Sequence, residues 1–195
     1  MNEGALDLAL AHVAGELRRL HRRFALIGGL GVSIRGEVRF TRDVDLAVRV
    51  RSDAEMEGLV RDLSAVGYSP LAVIEQDEQS RLATVRLRAP SGVVIDLLAA
   101  SSGIEEEVVD RATEVVIEGA GAIPVARAEE LLALKVLSMT EKRPQDALDA
   151  AGLVAMNPAL DVEAVRELLA KIVTRGFHRE QDLGAKLDAV LARSA

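Results

Sequence analysis

"LIGGLGVSIRGEVRFTRDVDLAVRV", Leu26 to Val50, decides how this chain is read. A short apolar strand, Phe24 to Gly28, breaks on two glycines, and a short helix is expected over Gly29 to Arg35. A second strand, Val44 to Val50, follows Asp43 and carries Asp45 two residues on. Side chains alternate along a strand, so the two aspartates point to one side, about 6.5–7 Å apart along the backbone. Carboxylates so placed repel each other unless a cation lies between them. A hard divalent ion suits them, Mg²⁺ foremost (or Mn²⁺), because it binds through one or two carboxylates plus substrate phosphates. The alternative is a solvated strand edge with two ordinary acids. Gly28 and Gly29, placed before a helix, would let backbone N–H groups approach a phosphate at the positive end of the helix dipole.

Outward from this stretch, Leu6, Leu10, Val13, Leu17 and Leu20 recur at helical spacing and predict an amphipathic first helix. Ser52 with Glu55 three residues later is a capping-box signature for a helix running to Gly67. "RLATVRLR", Arg81 to Arg88, alternates with period two, and "PSG" turns it into "VVIDLLA", Val93 to Ala99, which predicts a hairpin. Asp96 stands inside that second apolar run, where a lone buried carboxylate is costly unless paired or metal-bound. It could ligate the ion with Asp43 and Asp45, or it could pair with Arg86 or Arg88 across the hairpin. Three acids on two strands match the carboxylate set of a two-metal phosphoryl-transfer site.

A further strand is expected over Thr113 to Gly119, and after Ile123 to Arg127 the pattern turns helical. Helices are predicted over Ala128–Glu141, Pro144–Met156, Val162–Thr174 and Arg179–Arg193, with Pro144 in a first turn and Asp161 as an N-cap. The chain therefore divides into an α/β half, residues 1–122, and a helical half, residues 123–195. No flexible linker separates them, so both should pack around a shared cleft.

With 195 residues, 49% hydrophobic and 28% charged, the composition is that of a soluble globular protein. No stretch approaches the ~20 apolar residues of a membrane span. Glu3 and Asp7 stand where a signal peptide has its basic patch, and a cytoplasmic location is expected. The absence of cysteine excludes disulfides, thiolate metal sites and cysteine nucleophiles. A net charge of −7 argues against a protein that coats nucleic acid nonspecifically. Yet residues 12–51 hold nine arginines against four acids, a local +5. "ELRRLHRR", Glu16 to Arg23, is either the solvated face of a helix or a basic rim near a phosphate-handling site.

Gly-Gly after a short strand, then "RFTRDVDLAV" (Arg39 to Val48), then an isolated aspartate in a later strand, resembles the DNA polymerase β-like nucleotidyltransferase superfamily. "IPVARAEELLALKVLSMTEKRPQDALDAAGL", Ile123 to Leu153, looks like the region following the core in AbiEii-type toxins of type IV toxin–antitoxin systems. The resemblance covers roughly residues 24–153. It implies an α/β (α+β) core with a mixed β-sheet, followed by a C-terminal helical bundle. It also implies that Asp43, Asp45 and Asp96 hold the metals, with Asp96 helping to deprotonate the attacking hydroxyl. Gly28, Gly29, Arg39 and Lys135 would meet the nucleoside triphosphate, and Asp146 would join the catalytic set with its role open. Gly29 stands where many superfamily members have serine.

The activity so implied is Mg²⁺-dependent transfer of a nucleoside monophosphate from an NTP to an acceptor hydroxyl. The acceptor would be tRNA or another RNA end, and a separately encoded antitoxin would be a partner. Two rivals stand beside it: an enzyme of the same fold that modifies a small molecule such as an aminoglycoside, and an inactive nucleotide-binding regulatory module. Fold resemblance alone does not choose among them.

Overall fold

The computed structural model describes residues 3–76 and 81–194. The amphipathic opening segment forms α1 (Glu3–Arg19), followed by the short strand β1 (Phe24–Leu26). Helix α2 (Gly28–Arg35) starts on the glycine pair, and β2 (Asp43–Val48) opens on the first aspartate. Helix α3 (Asp53–Ala65) is capped by Ser52, whose hydroxyl accepts from Glu55 N–H at 3.3 Å. Then come β3 (Ser69–Gln76), β4 (Arg81–Arg88), β5 (Val94–Leu98), α4 (Glu105–Arg111), β6 (Thr113–Ile117) and β7 (Gly121–Val125). Four helices close the chain: α5 (Ala128–Ser138), α6 (Pro144–Met156), α7 (Val162–Thr174) and α8 (Leu183–Ser194).

The strands join one mixed sheet in the order β3-β4-β5-β2-β1-β7-β6. β2 runs parallel to β5 and β1 parallel to β7, while the remaining neighbours are antiparallel. Along β2 the alternation separates two faces. Val44, Leu46 and Val48 pack with Leu10 and Leu17 of α1 and Leu59 and Leu63 of α3. On the other face Ala47 joins Ala25 and Ile27 beneath Leu131, Leu132, Leu153 and Leu168 of the C-terminal helices. Those helices do not cover this face as far as the β3 edge, where Ala72, Ile74 and Arg88 remain exposed. The uncovered part of the sheet forms one wall of a cleft, and α5 and α6 form the other.

The mixed α/β architecture agrees with the sequence, but three elements were not expected. Pro70 masks β3, yet β3 is an edge strand with a register shift between Pro70 and Ala72, where a missing N–H is tolerated. Pro124 likewise masks β7. β1 registers with β7 only at Leu26↔Val125, so that ladder requires no donor from residue 124. The sheet therefore continues through Val125, past the expected division after residue 122. Helix α4 escaped notice because it is only 7 residues long, too short to display a helical period.

Two helices also differ from expectation at their ends. α8 begins at Leu183 instead of Arg179 because Arg179 and Glu180 take φ of 53° and 56°, outside helical space. α5 ends at Ser138, before the turn that leads to Pro144.

Candidate active site

The turn from β1 into α2 is built around Asp45. Gly28 takes φ of 60°, and a Cβ there would lie 1.9 Å from Asp45 Oδ2. Only glycine satisfies both conditions. Gly29 N–H donates to the Asp45 carboxylate, so a free donor of the α2 N-terminus is already engaged by an acid of the site. The sequence suggested a phosphate as the partner of these N–H groups. In the structure the glycine pair first makes room for an aspartate.

Asp45 and Asp96 are direct Cα partners across the parallel strands β2 and β5, and Asp43 stands opposite Val94. Partners in register share a face, with strands about 4.8 Å apart, so all three carboxylates line the cleft. Burial, then the charges of Asp96 and Asp43, push Asp45 up to about 6, against the pull of Lys135 and of Gly29 N–H. Asp96, 6% exposed, is held by Arg86, its antiparallel partner on β4. Arg86 Nε donates to Oδ1 at 2.8 Å and Nη2 to Oδ2 at 2.6 Å. That pairing raises the Arg86 guanidinium further above its ordinary value. The two fates open to Asp96 in the sequence thus coincide: it joins the acidic face and it is paired with arginine.

This donor set suits a hard cation in chemistry. Its ligands are all oxygen, they share one face, and Asp45 carries a charge that its surroundings disfavour. As the side chains stand, no group of three metal-binding residues among the described ones is drawn together tightly enough to hold an ion. Asp45 accepts from Gly29 N–H and each Asp96 oxygen accepts one hydrogen bond from Arg86, so on both residues a lone pair remains for an ion, although at Asp96 the ion must approach beside the guanidinium charge.

The opposite wall presents a buried ionic network. Lys135 Nζ lies 2.8 Å from Asp146 Oδ1 and 2.8 Å from Asp149 Oδ2. Arg143 Nε approaches Asp146 Oδ2 at 2.8 Å, and Arg39 Nε approaches Asp149 Oδ1 at 2.9 Å. Arg39 Nε, Asp146 Oδ2 and Asp149 Oδ2 are held by charge at these distances, without aligned hydrogen bonds. Lys135, Arg39 and Arg143 against Asp146 and Asp149 leave one surplus positive charge beside the acidic floor. Lys135 is thus a cleft residue with buried partners, not a lysine reaching out to water. Asp149 was not singled out in the sequence. Its i,i+3 spacing from Asp146 was the available signal, since it puts both acids on one helical face.

Gly28, Gly29, Arg39, Asp43, Asp45, Asp96, Lys135 and Asp146 all line one cleft of ≈ 780 Å³. The basic end of α1 does not. Arg18 pairs with Glu114, Arg19 with Glu16, Arg22 with Glu55 and Arg23 with Asp110. These residues precede β1, whose other end carries the glycine turn, so sheet geometry places them away from the carboxylates. The cations that do line the cleft are Arg39, Arg86, Lys135, Lys142, Arg143 and Arg179.

No helix among the described residues is long and apolar enough to cross a membrane. The chain has no significant sequence match among curated proteins. Its fold is shared by solved structures. A nucleotidyltransferase-like protein from Paracoccidioides brasiliensis aligns at 20% identity and TM-score 0.52, over 97% of this chain and 94% of that one. The antibiotic-resistance factor ANT(2'')-Ia, solved in solution, aligns at 16% identity and TM-score 0.56, over 95% and 97% of the two chains. The family described as nucleotidyl transferase AbiEii toxin, type IV toxin–antitoxin system, matches residues 13–193. With nearly the whole chain matched and the glycine turn, Asp43, Asp45 and Asp96 gathered in one cleft, this protein belongs to the AbiEii nucleotidyltransferases.

Proposed function

We propose that this nucleotidyltransferase moves a nucleoside monophosphate from an NTP to a hydroxyl at an RNA end, tRNA foremost, releasing pyrophosphate. It would act in the cytoplasm as the toxin of a pair whose antitoxin is separately encoded. One observation carries the reading: an acidic floor of Asp43, Asp45 and Asp96 in a cleft whose rim presents Lys142, Arg143 and Arg179. Such a cleft suits a triphosphate and a polyanionic acceptor together.

Asp43 and Asp45 would hold Mg²⁺ or Mn²⁺, with Asp96 completing the set through a lone pair that Arg86 leaves open. The ion would neutralise charge on the triphosphate oxygens. The acceptor oxygen bonds to the α-phosphorus, the bond from that phosphorus to the departing pyrophosphate breaks, and Asp96 takes the hydroxyl proton. The α2 N-terminus, Arg39 and the surplus charge of the Lys135 network position the triphosphate. Asp146 and Asp149 fix the direction of Lys135.

The test is incubation with each α-labelled NTP and Mg²⁺, with total RNA and with an aminoglycoside in separate arms. RNA should be labelled, and Asp43→Asn should abolish the label. Label on the aminoglycoside alone would replace RNA by a small acceptor, and nucleotide binding without any transfer would leave an inactive module. Lys142→Ser should weaken RNA labelling and flatten its salt dependence by about one unit of slope. Changing Arg18, Arg19, Arg22 and Arg23 together to Ser should leave transfer to RNA unchanged, because those side chains lie away from the cleft and are already paired.

A further inference from the structure

The loop between α2 and β2 folds back over the start of α2, and glycine at position 29 is what permits it. A Cβ on Gly29 would lie 2.7 Å from Thr41 Oγ1, 2.8 Å from Arg39 Nη2 and 2.9 Å from Thr41 Cβ. The requirement here is space for two loop side chains. The loop backbone is pinned by Ser33, whose hydroxyl lies 3.0 Å from Gly29 O and 3.2 Å from Arg39 O and accepts from Arg39 N–H at 3.2 Å. The Arg39 side chain is anchored at Asp149. Thr41, two residues further on and two before Asp43, is therefore held in a defined place. It lines the cleft beside Gly29, Asp43 and Asp45. Among the described residues its hydroxyl makes no hydrogen bond. Half-buried beside Gly29 and the two aspartates, this hydroxyl opens to the cleft and is free to donate to a group bound there.

We infer that Thr41 Oγ donates a hydrogen bond to a phosphate oxygen of the bound nucleotide. The inference rests on the reading of this cleft as an NTP site. Two features favour an anion at this point. The Arg39 guanidinium stands beside the hydroxyl, and both face the positive end of the α2 dipole. Gly29 N–H is turned to Asp45, so the start of α2 has one backbone donor fewer, and the Thr41 hydroxyl supplies one beside it. The volume Thr41 occupies is the one into which a side chain at residue 29 would project. A hydroxyl placed there on residue 29 should therefore replace that of Thr41, provided Thr41 is cut back to glycine, since its Cβ as well as its Oγ1 stands in that volume.

The test is calorimetric binding of ATP, GTP, CTP and UTP analogues with a non-hydrolysable α,β link, in Mg²⁺, with melting temperatures recorded alongside. Thr41→Val, nearly isosteric, should weaken binding about 10- to 100-fold, the loss of one hydrogen bond to a charged group. Thr41→Ser should retain affinity within about threefold. Gly29→Ser alone should weaken binding by displacing Thr41 and Arg39, whereas Gly29→Ser with Thr41→Gly should bind more tightly than Gly29→Ser or Thr41→Gly alone. Wild-type affinity in Thr41→Val overturns the role, and so does a double variant no better than either single one. A wild-type protein that binds none of the four analogues overturns the nucleotide reading itself, and this role with it.

Discussion

Arg86 grips Asp96 by both carboxylate oxygens, and Asp96 faces Asp45 across the next strand pair. The arginine thus neutralises one member of an acidic row and occupies the oxygens a cation would seek. A bidentate, charge-assisted pair is among the stronger contacts a side chain makes, so an ion reaching Asp96 competes against it.

Replacing Arg86 should separate these two effects. Arg86→Gln should lower the melting temperature in EDTA, because the acidic row loses its counter-charge. The same variant should need several-fold less Mg²⁺ or Mn²⁺ to reach half of the metal-induced rise in melting temperature, since the ion then meets no competitor. A midpoint identical to that of wild type would remove Asp96 from the ion's ligands.

Asp45 makes stability depend on pH in a defined direction. Its folded value, about 6, lies above the ordinary 3.8, so the folded chain holds this proton more tightly than the unfolded one. Stability from this group is complete below about pH 4 and is lost as pH rises through about 6. At about 1.4 kcal/mol per unit, the ionised side chain costs on the order of 2–3 kcal/mol at neutral pH. In EDTA at pH 7.5, Asp45→Asn should therefore be more stable than wild type by roughly that amount, an advantage that vanishes near pH 4. Denaturant unfolding at the two pH values decides the matter. An asparagine variant less stable at pH 7.5 would mean that the Gly29 N–H contact outweighs burial and repulsion.

How much of this could be read from the chain depended on whether the controlling contacts were local. Asp43 and Asp45 share a face by strand alternation, which the sequence displays directly. That Asp96 stands opposite Asp45 depends on β5 returning parallel to β2 after α3, β3 and β4, and no local pattern encodes that. β3 and β7 were hidden by Pro70 and Pro124, whose cost is small at an edge and at a strand met by its neighbour in one register position. The arginines at and just after the end of α1 looked close to the glycine turn because they are close in sequence. Five residues of strand and turn were enough to put them at the other end of β1, where Glu16, Glu55, Asp110 and Glu114 take them up. The Gly29 contact with Thr41 spans twelve positions and shows only in three dimensions.

Lys135 is bound into the fold as firmly as into the proposed site. It is 8% exposed, between Asp146 and Asp149 at 3% and 4%. Removing the ammonium strands two buried carboxylates, each with one remaining arginine, and breaking a buried pair in this way costs about 3–5 kcal/mol. Lys135→Ala should therefore unfold at markedly lower denaturant, and a loss of NTP use in that variant would not by itself show a phosphate contact. The informative variant removes the charges together: Lys135→Met with Asp146→Asn and Asp149→Asn leaves no unpaired carboxylate and should recover most of the lost stability. If Lys135 meets the triphosphate, this triple variant should fold normally and still bind the α,β-blocked nucleotide at least tenfold more weakly than Asp146→Asn with Asp149→Asn alone, roughly the value of one charged hydrogen bond. That reference equally releases Arg39 from Asp149 but keeps the ammonium. Nucleotide affinity equal to that reference in the stable triple variant would confine Lys135 to a structural role, holding α5 against α6.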